Sequence, residues 1–250
     1  MKLKEMVEYL NRVLDLEKIP DDSKNGLQVE NSGDISRIGV AVDACEECFK
    51  EAKRRKIDFL LVHHGLFWKD MQTLTGNFYR RLKILIEGNI ALYAVHLPLD
   101  VHPEWGNNAV GLNLLGWDKK MQFGDYHGVT LGYEFHLSPS QEREELKKWV
   151  EKKLETKVIS WDFGPEKIEK GAFVSGSGLS LLPEAIEKNL DIFITGEPSH
   201  AWYWKAKEGR INVLFAGHYK TEILGVKKLG EHLSKRFRLP LEILDFPTGL

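Results

Sequence analysis

The stretch "GVAVDACEECFKEAKRRKIDFLLVHHG", Gly39–Gly65, carries the signal for the fold. An apolar run rich in β-branched residues ends at Asp43. "CEECFKEAKRRK" then reads as a helix, and a second apolar run, "DFLLV", climbs into His63, His64 and Gly65. Unbroken apolar strands separated by a helix argue for a parallel α/β sheet covered on both faces. Ligands of such sheets gather at the carboxyl ends of the strands. Asp43, His63 and His64 fall there.

Further candidate strands end the same way. "IALYAV" runs into His96, then "LPLD" with Asp100, which follows Pro98 in an expected loop. "GAFVSGSG" ends in a glycine-serine loop. "DIFIT" ends at Gly196 and Glu197, and "INVLFAG" ends at His218. A lone histidine at a strand end is usually a hydrogen-bonded structural residue. Several titratable groups converging on one rim are a constellation.

The two halves of the chain share a layout. Each runs strand, helix, strand, polar turn, helix, strand and then histidine. A carboxylate follows that histidine four residues later, His96 to Asp100 and His218 to Glu222. This pattern predicts an internal duplication. With the duplication, the expected fold is two α/β lobes with pseudo-symmetric sheets that face each other across one metal site in the cleft between them. One lobe is expected over 1–125 plus 221–250, the other over 126–220. "SPSQEREEL" predicts a helix start inside the second lobe, with Ser138 or Ser140 as N-cap.

Composition narrows the function. The formal charge of −2 gives no bulk reason to expect nucleic acid or an anionic membrane. No apolar run approaches the ~20 residues of a membrane span. The amphipathic N-terminus lacks the features of a signal peptide. Two cysteines make no disulfide framework, and a cytoplasmic setting is expected. They do read C-x-x-C, Cys45 and Cys48, a pattern open to a redox pair or to two small residues on a helix turn.

Two adjacent histidines on a regular strand point to opposite faces. His63 and His64 can share a site only if the chain turns, and Gly65 is expected to permit that. "GHYKTEILGVKKLGEHL" reads as a helix, which places His218 and Glu222 on one face. With Asp100 these supply three imidazoles and two carboxylates. The set exceeds the four ligands of a simple structural zinc site and suits two metal ions. Its mixed donors favour zinc, manganese or iron(II) over calcium. Such pairs of ions activate water and clamp a phosphoryl or carbonyl oxygen. His96 is a candidate to hydrogen-bond a ligand or substrate oxygen, and Glu197 a candidate general base. "SGSGLS", Ser175–Ser180, reads either as a phosphate-holding loop or as a tight glycine turn.

"NGLQV" at Asn25–Val29, "HHG" at His63–Gly65, "HLPLD" at His96–Asp100, "GSG" at Gly176–Gly178, "TGE" at Thr195–Glu197 and "GHYKTE" at Gly217–Glu222 occur in that order. Together they resemble the Nif-three-like family, also called GTP cyclohydrolase type-two homologues. The resemblance covers about Lys2 to Phe237. It implies two interlinked α/β lobes, a dinuclear metal site with His63, His64, Asp100, His218 and Glu222 as ligands, and a ring-like or cage-like hexamer of dimers. Two departures touch expected substrate contacts. Ser23–Lys24 stands where the family commonly has Trp-Asp, and Glu197 where it often has Asp.

The leading expectation is a metal-dependent hydrolase of a small phosphorylated or nucleotide-like substrate. The alternative is a metal-organised oligomeric scaffold or regulatory protein that binds protein or nucleic acid. Seven tryptophans, including "AWYW" at Ala201–Trp204, are either interface anchors or core. The third possibility is a thiol oxidoreductase using Cys45 and Cys48.

Overall fold

The apolar runs form strands that pair in parallel, as their lack of polar alternation predicts. The computed structural model describes residues 1–250 and divides into two units. One is Met1–Trp105 with Gly225–Phe246, the other Gly106–Leu224 with Pro247–Leu250.

The first unit opens with helix α1 (Leu3–Val13) and strand β1 (Gly26–Val29). Strand β2 (Ile38–Asp43), α2 (Glu46–Arg54), β3 (Phe59–His64), α3 (Gly76–Glu87), β4 (Ala91–Ala94) and the single turn α4 (Leu97–Asp100) follow. The second unit holds α5 (Asn107–Leu115), β5 (Gln122–Tyr126), β6 (Val129–Glu142), α6 (Arg143–Leu154), β7 (Ile159–Trp161), β8 (Lys167–Phe173), α7 (Leu182–Glu187), β9 (Ile192–Thr195), α8 (His200–Glu208) and β10 (Asn212–Phe215). Helix α9 (His218–Phe237) starts in the second unit and continues into the first, where β11 (Leu241–Ile243) follows. No helix is long and apolar enough to cross a membrane.

The first unit's sheet has the order β1-β4-β3-β2-β11. Strands β2, β3, β4 and β11 are parallel, and β1 is an antiparallel edge. Helices α2 and α3 bury Cys48, Phe49, Ala52, Phe78 and Leu85 in one cluster with Ala41, Leu60, Val62 and Leu92 of the strands. Helix α9 packs close to β2: a Cβ on Gly230 would stand 2.6 Å from Val40 Cγ1.

The second unit's sheet has the order β5-β6-β8-β9-β10-β7. Its β8, β9 and β10 are parallel, and β7 is an antiparallel edge on β10. The suborder β7-β10-β9-β8 therefore repeats β1-β4-β3-β2. In both, an edge strand precedes three parallel strands in the chain. The duplication read from the sequence is present in the strand order.

Three boundaries differ from the sequence reading. The first unit ends at Trp105 rather than 125, because Leu112 and Leu115 of α5 join the core of Phe135, Leu146 and Phe173. The return point is Gly225 rather than 221, inside α9. Ser138 and Ser140 lie within β6, not at a helix cap; α6 begins at Arg143 with Glu142 as N-cap. The β6–β8 register shifts between His136 and Gln141, an irregularity that accommodates Pro139, which has no N–H for the ladder. Asp100 ends the helical turn α4 instead of lying in a loop.

Candidate metal centre

In the first unit three adjacent parallel strands deliver the polar groups side by side. Asp43 and His64 are partners in the β2–β3 register. His63 is fully buried, and its Nδ1 donates to Val95 O at 2.9 Å. A carbonyl only accepts, so Nδ1 carries the proton. His63 Nε2 then faces Asp100 Oδ2 at 3.6 Å. His64 Nδ1 donates to Asp43 Oδ1 at 2.8 Å. His96 Nδ1 donates to Asp21 Oδ1 at 3.0 Å. Each ring is thus held at Nδ1, which makes Nε2 the nitrogen it presents for ligation.

The three rings are neighbours. His63 lies 4.8 Å from His64 and 5.0 Å from His96 between centroids. One donor atom from each comes within 4.8 Å of the others. Asp100 N donates to His96 O at 3.2 Å, so α4 sets the buried Asp100 one turn from His96.

Gly65 does not act as the sequence suggested. Both histidines lie within β3, and Gly65 has no left-handed φ. It is required by space. A Cβ there would stand 2.4 Å from Gln28 Nε2 and 2.5 Å from Ala94 Cβ. Gln28 Oε1 accepts from Leu66 N at 2.7 Å, which ties the "NGLQV" segment to the histidine turn. Asn25 Oδ1 accepts from His96 N at 2.8 Å. Asp21 accepts from Asn25 Nδ2 and Leu97 N as well as His96. Burial opposes its charge, but the bonds from His96 and Asn25 outweigh that and hold its carboxyl down at about 2.

In the second unit His218 opens α9 directly after β10 and the left-handed Gly217. Its Nδ1 lies 3.0 Å from Glu197 Oε2, and its Nε2 2.9 Å from Glu222 Oε2. Helical spacing puts His218 and Glu222 on one face, as expected. Burial disfavours the imidazolium, yet the Glu222 and Glu197 carboxylates hold its pKa up to about 9. Gly176, at φ +63°, lets the glycine-serine loop approach: a Cβ there would sit 2.1 Å from Glu222 Oε1. Gly176 N donates to Thr221 Oγ1, and Gly178 N to Thr195 Oγ1, each at 2.9 Å. Those two N–H groups are spent within the protein, so the loop reads as a tight turn rather than a phosphate cradle.

The structure thus brings His63, His64, His96 and Asp100 together in one unit, and Glu197, His218 and Glu222 in the other. Sequence reasoning missed Asp21 as a partner of His96 and gave Asp43, though seen at a strand end, no role. The surroundings of Cys45 and Cys48 disfavour the thiolate that a redox pair needs. Burial raises both thiol pKa values, and Cys45 Sγ accepts from Cys48 N as the cap of α2. In "AWYW", Trp202 packs on the second unit's core while Trp204 is 57% exposed.

The sequence profile of the Duf34/NIF3 (NGG1p interacting factor 3) family matches residues 1–247. A "GTP cyclohydrolase 1 type 2 homolog" of Archaeoglobus fulgidus is 42% identical, with all of both chains covered. Another of that name, from Pyrococcus abyssi, is 40% identical, also over all of both chains. Among solved structures, TTHA1606 from Thermus thermophilus matches with a TM-score of 0.92 at 40% identity, again over all of both chains.

Proposed function

The chain belongs to the DUF34/NIF3 family, and from that premise we propose that it is a dinuclear metal-dependent hydrolase of a small phosphorylated or nucleotide-like substrate. His63, His64, Asp100, His218 and Glu222 are the proposed ligands, for two ions of zinc, manganese or iron(II). The observation that carries this reading is the hydrogen bonding of the imidazoles. His63, His64 and His218 each have Nδ1 held by a carbonyl or carboxylate. That is the outer-shell arrangement that orients metal-ligating histidines. The donor set fits: imidazoles and carboxylates, with no thiolate, match these ions. The relatives' name is in keeping with a nucleotide-like substrate.

Two divalent ions would supply Lewis acidity and lower the pKa of water. The chain's own residues do the rest. Val95 O, Asp43 and Glu197 set the tautomer and direction of His63, His64 and His218. Glu197 positions His218 through Oε2, and its other carboxylate oxygen is the candidate general base. Proton transfer also falls to His96 at Nε2, because Asp21 holds the opposite nitrogen and so turns Nε2 to the site.

The test is elemental analysis and phosphate-ester hydrolysis on the intact protein and on His218→Ala. Loss of metal and of turnover is expected. Survival of both would defeat the assignment.

The scaffold reading keeps one supporting observation. Met71 is 99% exposed, and Leu74 and Trp204 are each 57% exposed, large apolar side chains suited to contact between copies. A homo-oligomer, expected as a hexamer, should appear in analytical ultracentrifugation; a monomer at all concentrations would count against it. Nucleic-acid binding would show as salt-dependent retention of DNA by the purified protein. Both cysteines are free thiols, in keeping with a cytoplasmic location.

A further inference from the structure

The loop after the paired histidines builds a second feature that the ligand set does not use. Trp68 packs its indole edge-to-face on His96, with centroids 5.1 Å apart, and at a tilt against His64 at 6.2 Å. Its Nε1 donates to Gly65 O at 3.1 Å, which fixes the ring. Trp68 also lines a groove of about 440 Å³ together with Phe67, Lys24 and Lys69. The size is that of a small-ligand pocket. Trp68 is therefore the wall shared by the groove and the histidine cluster. It is half-buried, so part of the indole remains open.

The chemistry of the groove is specific. Its aromatic side chains are Phe67 and Trp68, which offer π-faces for a planar ring. The lining carries two ammonium groups, Lys24 and Lys69, and one carboxylate, Asp70. Lys69 has only a loose, exposed ion pair with Asp22, at 3.6 Å. Of the polar side chains that also line it, Gln72 is exposed, while Gln28 and Asn25 are already committed. Gln28 bonds Leu66 N and Lys24 O, and Asn25 bonds His96 N and Asp21. What remains for a ligand is stacking plus positive charge.

We infer that this groove is the substrate subsite, holding a planar heteroaromatic ring against Trp68 and an anionic arm at Lys24 and Lys69. Such a ligand is a nucleoside phosphate or a close relative. Stacking on an indole tolerates any base, whereas the lysines require the charge. The inference rests on the hydrolase reading only in placing the reacting end of the ligand at the histidines.

The experiment titrates the full-length protein with guanosine monophosphate and, separately, with ribose 5-phosphate, which lacks the ring. Calorimetry reads affinity, and elemental analysis of the same samples reads metal content. The nucleotide is expected to bind at least about tenfold tighter than the sugar phosphate. Trp68→Leu should erase that preference with metal content unchanged, and Trp68→Phe should keep part of it. Lys24→Ala and Lys69→Ala should weaken both ligands alike. Equal affinity for the two ligands, binding of neither, or an undiminished preference in Trp68→Leu overturns the inference. If Trp68→Leu fails to fold, a Trp68→Phe protein with an undiminished preference overturns it. Metal-free protein that still prefers the nucleotide sinks the hydrolase reading but leaves the groove standing. Metal-loaded protein without the preference does the reverse.

Discussion

The carboxylate of Asp43 lies 2.8 Å from Nδ1 of His64, at paired positions of neighbouring parallel strands. The sheet itself therefore sets the distance, and the carboxylate chooses the tautomer. His96 with Asp21 and His218 with Glu197 repeat the arrangement. Three predictions test its consequences, and two more concern the loops and thiols around it.

Asp43→Asn should leave the fold intact, because the side chain is 40% exposed. It should lower metal affinity about 10–100-fold by loosening His64. Competition with a chromogenic chelator measures this. An affinity equal to that of the parent protein would show that Asp43 does not orient the ring.

Asp21→Asn separates two roles for His96. If His96 moves protons, turnover per bound metal falls by about a hundredfold or more while metal content holds. If His96 is instead a ligand, metal content falls and turnover per metal does not. Single-turnover assays on metal-quantified samples distinguish them.

Metal binding should be pH-dependent through His218. Its folded-state pKa, about 9, lies above the ordinary 6.5. In the metal-free protein its charge therefore stabilises the fold fully below about 6.5, and that contribution is lost as pH rises through about 9. Metal must displace the same proton. Affinity should rise across this window and proton release should fall to nothing above it. Calorimetry in buffers of different ionisation enthalpy reads both. A flat profile would mean that His218 is not a ligand.

Gly176→Ala and Gly33→Ala make a matched pair. Both positions have positive φ, so each substitution should cost about 1–2 kcal/mol of stability. Nothing lies within 4 Å of a Cβ at Gly33, whereas Glu222 Oε1 lies 2.1 Å from one at Gly176. Only Gly176→Ala should lose metal. Equal metal content in both variants would remove Glu222 from the ligand set.

Cys45 and Cys48 should alkylate slowly at neutral pH and rapidly once the chain is unfolded, since burial raises both thiols. Cys45→Ser should change neither activity nor its response to reductant. Fast labelling of the folded protein would reopen the redox reading.

Much of the site was legible because its signals are local. Unbroken apolar runs announced parallel strands, and the parallel rule placed His63, His64, His96 and His218 at their ends. The i,i+4 spacing of His218 and Glu222 needs only a helix. Gly65 shows the limit. Sequence suggested a turn residue, but the structure requires it because Gln28 and Ala94 occupy the space of a side chain. The segment around Pro139 shows another: a serine beside a proline resembles a helix start, yet pairing with β8 drew it into a strand.

The chain by itself determined which side chains could act as donors, since burying apolar runs as parallel strands forces the following polar residues to the sheet's end. Only the tertiary structure decided how each imidazole is held. Asp43 is 21 residues from His64, and Asp21 is 75 from His96. No local pattern records those partners. Folding alone brings the carboxylates to Nδ1, and so selects the nitrogen that each ring would offer to a metal.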